Sequence, residues 1–224
     1  MSNENEDGRS AKDAAGIQDA AVEDQEPLEA RFLRAPPPDS IADLAHACVR
    51  FVERAVGVKL DFTPETLPLL DHYLAGARDV FAAGDKTKTG ESFDLVAQAA
   101  GAYFGEVVRR RYASWWRLGA GSGDEHRLEF HRLHLVIHPV LLVSEALLLD
   151  RDKTASDFAG FDLDASDVEA AARRLSELPP VDIEEFVRPT TRLEALDIIV
   201  DAVRADHAID GADPLALEPN DYVH

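Results

Sequence analysis

The stretch from Glu91 to Tyr112, ESFDLVAQAAGAYFGEVVRRRY, is the clearest long amphipathic helix in the chain, and it limits what the rest can become. Phe93, Ala97, Ala100, Phe104, Val107 and Val108 recur at three-and-four spacing, which places them on one helical face and makes that face core. Gly101 and Gly105 lie four apart, one turn beyond Ala97, and leave a strip with little side-chain bulk. Each interior glycine costs a helix roughly 1 kcal/mol relative to alanine, so close approach by a second element is the expected offset. Glu106 precedes Arg109 and Arg110 by one turn, the spacing of an ion pair on a solvated helix surface worth a few tenths of a kcal/mol.

A core of this kind needs enough apolar chain around it. With 224 residues, 46% of them hydrophobic, there is enough for one domain. The formal charge of −20 disfavours nucleic acid and anionic membrane as partners and favours a partner protein with a basic surface. The opening MSNENEDGRS has neither the basic start nor the apolar run of a secretory signal, which gives a cytoplasmic expectation. The most apolar run, Val140 to Leu149, is interrupted by Ser144 and Glu145 and is too short to span a bilayer. Cys48 is the only cysteine and lies on the helical stripe of Ile41, Leu44, Ala45, Phe51 and Val52, where it reads as a buried, inert thiol.

Residues 1 to 35 read as a disordered acidic tail and proline spacer, since the first thirty carry almost no large apolar side chains. Asp39 or Ser40 opens a helix that Gly57 ends. Val58 to Phe62 reads as a short strand or an extended connector, and a second helix starts at Thr66 after the Pro64 turn and closes at Gly84-Asp85. Asp85 to Gly90, DKTKTG, reads as a polar loop that lacks the order of a phosphate-binding loop. Beyond the central helix, Ala113 to Leu118 and Arg127 to Ile137 form a hairpin around a glycine-rich turn, and Pro139 introduces an apolar helix. The aspartates of 150 to 167 do not fit a calcium loop, because Ala155 or Asp167 stands where its glycine belongs. Ser166 to Glu169 and Thr191 to Glu194 look like capping boxes that open two last helices. The expected body is therefore 36 to 206, with 150 to 206 either part of it or a helical appendage, and 207 to 224 a mobile acidic tail. The fold class is α+β: a mainly helical single domain with a small antiparallel hairpin or sheet packed on the central helix.

Chemistry is thinly marked. His126, His131, His134 and His138 cluster, but on one strand His134 and His138 stand about 13 Å apart at roughly 3.3 Å per residue, so no metal site or other cofactor is assigned. No nucleophile elbow is present, and no catalytic residue is assigned. Trp115 and Trp116 are adjacent, so on a strand they face opposite ways, one into the core and one outward near the arginines. The surface expected to bind is made of Glu106, Arg109, Arg110, Trp115, Trp116 and His134, the outward tryptophan serving as an anchor.

The string Gly101-Ala102-Tyr103-Phe104-Gly105-Glu106-Val107-Val108-Arg109, with Leu60-Asp61-Phe62-Thr63-Pro64-Glu65-Thr66-Leu67 before it and tryptophan after it, resembles uncharacterised bacterial domains of unknown function. The resemblance covers about residues 60 to 116. In place of a glycine-rich link before the tryptophan stands Arg111-Tyr112-Ala113-Ser114. It implies a bacterial cytosolic domain and supplies no catalytic residues. The functional expectation is a non-enzymatic interaction module, immunity-like or adaptor in kind, that holds a basic partner protein. The alternative is a hydrolase or small-ligand domain with a pocket between the central helix and the hairpin.

Overall fold

The computed structural model describes residues 27–83, 86–121, 123–149, 160–209, 211 and 215–222, and it is a mainly helical α+β fold with one small antiparallel sheet. The eight helices described are α1 Leu28–Arg34, α2 Asp39–Val56, α3 Leu67–Ala83, α4 Lys86–Arg111, α5 Pro139–Leu148, α6 Val168–Ser176, α7 Ile183–Phe186 and α8 Pro189–Ile209. The sheet runs β1 Ser114–Arg117, β2 Arg127–Phe130, β3 Leu135–Ile137 and β4 Phe161–Leu163, each strand antiparallel to the next. No helix among the described residues is long and apolar enough to cross a membrane.

α4 is the axis. It packs on α2 along one side and on α5 along another, and both glycines sit where the sequence demands close approach. A methyl group at Gly101 would stand 2.7 Å from the Val140 Cα of α5, and one at Gly105 would stand 2.3 Å from the Trp116 ring. α2 presents Ile41, Ala45, Cys48, Val49 and Val52 to this core and ends at Gly57, whose N–H still bonds to the Glu53 carbonyl and whose φ of 80° then turns the chain out of the helix. Burial pushes the Cys48 thiol up to about 12, which keeps it protonated and inert. Val58 to Phe62 is a connector and forms no strand. Asp61 ends it by accepting from the Thr63 N–H and from the Thr63 and Thr66 hydroxyls, and the chain then turns through Pro64–Thr66 into α3. Pro68 falls in the first turn of α3, where its missing N–H costs nothing.

Several sequence expectations are corrected. The backbone is already helical from Lys86, so most of the expected DKTKTG loop is the first turn of α4. The expected strand 127 to 137 is two strands, because residues 131 to 134 make a tight turn. Burial goes on alternating through that turn, with His131, Leu133 and Leu135 inside and Arg132 and His134 half-buried, so a period of two could not reveal it. Neither capping box forms. Ser166 bonds to Asp164 and the helix opens one residue later with Asp167 at its cap, while Thr191 is already inside α8. β4 extends the sheet, and α8 packs on α3 and α5, so residues 160–209 belong to the main body. Arg111 grips Asp197 through two nitrogens at 2.7 and 2.9 Å, and the Tyr112 hydroxyl donates to the same carboxylate, fastening α4 to α8.

Both expected tails contribute ordered structure. α1 lies within the stretch assigned to the first tail, and it lays Phe32 4.8 Å from the Trp115 ring and 5.1 Å from His131. At the other end α8 runs to Ile209, and residues 215–222 return across the sheet. Leu217 exchanges backbone and side-chain bonds with His131. The Tyr222 hydroxyl sits 2.7 Å from the Phe130 carbonyl and 2.5 Å from that of Leu133, which holds the 131 to 134 turn shut. Residues 1 to 26, most of 210 to 214, the last two residues, and the aspartate-rich 150 to 159 lie outside the described residues.

Candidate functional site

The residues expected to form a binding surface are divided by the fold. Glu106 and Arg109, expected on a solvated helix face, are 2% and 6% exposed and form a two-pronged pair at 2.8 and 2.9 Å. Trp116, the inward tryptophan, donates its indole N–H to the same Glu106 oxygen at 2.8 Å, and Arg109 reaches the Phe32 carbonyl at 3.3 Å. These three therefore meet, but as an internal polar knot between α4, β1 and α1. Arg110 is exposed and lies 4.2 Å over the Phe62 ring. Trp115, the outward one of the two tryptophans, is half-buried under Phe32 and Tyr222 and donates to Glu129 at 2.8 Å. His134 stands apart beside Tyr222, with ring centres 5.5 Å apart. At Gly105, where β1 meets the central helix, the Trp116 ring fills the space between them. Among the described residues no three histidine, cysteine, aspartate or glutamate side chains gather as metal ligands.

An apolar concave surface lies at the C-terminal half. A groove of about 690 Å³ runs between α6 and α8, walled by Ala172, Leu175, Ala195 and Ile198 and floored by Phe161 and Phe186. The floor is held from behind by Arg192, which is 1% exposed, lies 3.9 Å from the Phe186 ring and is paired with Glu145 of α5. Pro179, Pro180 and Val181 close one end, and Leu178 and Val181 remain about two-fifths exposed. Glu194 lines the groove, and the exposed chain neighbours of its lining residues carry both signs of charge: Glu177, Asp182 and Glu185 against Arg173 and Arg174, with Arg174 paired to Glu177 at 2.6 Å. The sequence held one signal for this: α8 carries Ala195 and Ile198 beside the expected stripe of Leu196, Ile199, Val200 and Val203, more apolar surface than one core contact requires.

A smaller cavity of about 320 Å³ lies on the other side of α7, with Asp71, His72, Arg78, Glu184 and Arg188 on its walls. Asp71 of α3 accepts from the Thr190 N–H at 3.3 Å and so caps the start of α8 from outside the helix. Burial holds its carboxyl above the usual carboxylate range, an effect that the Thr190 bond and the nearby Arg188 only partly offset and that Glu194 reinforces. A carboxyl whose folded pKa is raised stabilises the fold at low pH, and that contribution is lost as pH rises through the folded value. Asp71→Asn keeps an acceptor for Thr190 without the charge. Its stability relative to the parent is therefore expected to improve from about pH 4 to about pH 7. Urea unfolding at the two pH values measures this, and a parent that gains on the variant as pH rises would contradict the assignment.

The chain matches no protein-family model, no curated protein and no solved structure.

Proposed function

We propose that this protein is a non-enzymatic interaction module of the adaptor or immunity kind, acting in the cytoplasm, which seats an apolar segment flanked by lysine or arginine from a basic partner protein. The observation that carries the reading is the α6/α8 groove: apolar along its walls and floor, open to solvent, and lined by the exposed carboxylate of Glu194. Exposed apolar surface of this kind costs solubility unless something covers it. Charge complementarity selects the occupant, because a chain of net charge −20 attracts a basic segment and repels an acidic one. The walls are two helices, so the occupant that fits is a third, laying residues at three-and-four spacing into the groove. This moves the binding surface away from the central helix and hairpin while keeping the character of the partner.

The test titrates the full chain with an amphipathic leucine–lysine peptide, in parallel with Ile198→Glu, which places a charge on the groove wall. Binding should weaken by roughly tenfold or more in the variant, since an unpaired charge is costly in an apolar site. It should also weaken as salt is raised past about 0.15 M, where screening acts within about 8 Å. Peptide binding untouched by both changes would remove the groove from the argument. Concentration-dependent dimerisation of the parent that Ile198→Glu abolishes would instead assign the groove to a second copy of the chain.

A further inference from the structure

The sheet has two faces, and the outer one carries a charge arrangement that folding alone leaves incomplete. Arg117 of β1 and Arg127 of β2 are register partners, so two like charges stand directly opposite each other. That placement normally destabilises a sheet. Here both are turned onto one carboxylate oxygen of Glu129, Arg117 through Nε at 2.6 Å and Arg127 through Nε at 3.0 Å. The other Glu129 oxygen takes the Trp115 indole N–H at 2.8 Å. A single carboxylate, fully buried, thus serves two cations and an indole.

The arginines do have capacity left. Arg117 spends one terminal nitrogen on the Pro219 carbonyl, and Nη1 of each arginine has no protein partner among the described residues. Both guanidinium side chains remain about a third exposed, at 36% and 34%, and together they line an open cavity of about 360 Å³. Leu118, Gly119, Glu125 and His138 complete its walls. Leu118 offers an apolar patch, being 43% exposed. His138 is held through Nε2 by Asp162 at 3.1 Å, and the Glu125 carboxylate folds back to accept from the Gly121 N–H at 2.8 Å.

We infer that this cavity binds a small monocarboxylic acid, whose carboxylate takes the free prongs of Arg117 and Arg127 while its hydrocarbon part lies on Leu118. Nη1 of each guanidinium can give one charge-assisted bond to one oxygen of a carboxylate, and the pair brings one positive charge more than Glu129 neutralises. The Glu125 carboxylate on the wall repels a second negative charge, which sets a monoanion above phosphate. The volume lies near the lower end of small-molecule sites, about 300 to 1,000 Å³, and suits a ligand of a few carbons. This site uses the sheet and not α6 or α8, so it stands or falls independently of the partner reading.

The experiment titrates the full chain with butyrate and, separately, with inorganic phosphate, following the Gly119 amide and the Trp115 indole N–H by NMR. Butyrate should give saturable shifts at both. Arg127→Gln, which leaves Arg117 and Trp115 on Glu129, should weaken butyrate by roughly tenfold or more, the scale of one lost charge-assisted contact. Glu125→Gln should tighten it, and since that exposed side chain holds up no core, its result stands even if Arg127→Gln proves unstable. The inference fails if butyrate gives no saturable shift, if Arg127→Gln binds as well as the parent, or if Glu125→Gln weakens binding. Tighter binding of phosphate than of butyrate would overturn the monoanion assignment.

Discussion

Arg109→Ala is expected to destabilise the fold by about 3–5 kcal/mol, the cost of leaving a buried ion without its partner. In the native knot the Glu106 carboxylate receives two prongs of Arg109 and the Trp116 indole, nearly out of contact with water. After the substitution only the indole remains, and it cannot balance a negative charge. A paired replacement, Glu106→Leu with Arg109→Met, removes both charges and fills similar volume, so its loss should be smaller than that of Arg109→Ala alone. Such non-additivity marks an internal pair, because the exposed pair suggested by spacing alone would contribute under about 1 kcal/mol. Guanidinium unfolding of Glu106→Leu, Arg109→Met and the double variant completes the cycle. A loss below about 1 kcal/mol for Arg109→Ala would mean that water reaches the knot in solution.

Gly101→Ala and Gly105→Ala are each expected to lower stability by about 1–3 kcal/mol, although alanine is the better helix former by roughly 1 kcal/mol. At Gly101 the new methyl would meet backbone atoms of α5 at 2.7 and 2.9 Å, and a helix backbone can yield only by moving as a body. At Gly105 it would meet the Trp116 ring, which cannot swing away without breaking its bond to Glu106. Gly90 provides the control within the same helix. It is exposed with nothing within 4 Å of a new methyl, so Gly90→Ala should raise the melting temperature while the other two lower it. A rise in stability at all three positions would show that propensity governs α4 and that the close approaches are loose.

Those glycines also show what the sequence could disclose. Periodicity and punctuation are local, so α2, α3, α4 and α5 could be read from their stripes, their prolines and Gly57, and the two glycines of α4 announced a close neighbour. Which neighbour was not local information. Val140 and Trp116 come from two different elements, and the inward turn of Glu106 depends on Trp116 and Phe32 arriving beside it. The same spacing of Glu106 and Arg109 would serve a surface pair equally well. β4 has three residues and α7 has four, too few for any period to show, and both are held by partners distant in the chain. The 131 to 134 turn is set by Tyr222, about ninety residues away, and not by a glycine or proline of its own. The acidic, proline-bearing composition of 207 to 222 reads as a tail because Leu217 and Tyr222, its buried anchors, are too few to form a pattern.

The segments that cover the outer face of the sheet meet at one side chain. Arg132 donates to the Glu29 carboxylate at 3.1 and 2.9 Å and to the Leu215 carbonyl at 3.0 Å, which brings α1 and the returning segment within the span of one guanidinium. Where two distant stretches of a chain adjoin, the order of the elements along it can be rearranged without altering how they pack. A peptide linker from the Tyr222 end of the returning segment to the start of α1, with new ends opened at the glycine-rich link between β1 and β2, would keep the packing of α4 on α2 and α5. In such a permuted chain β1 and β2 would no longer be neighbours in sequence, and their pairing would rest on the Glu129 bridge and the core beneath it.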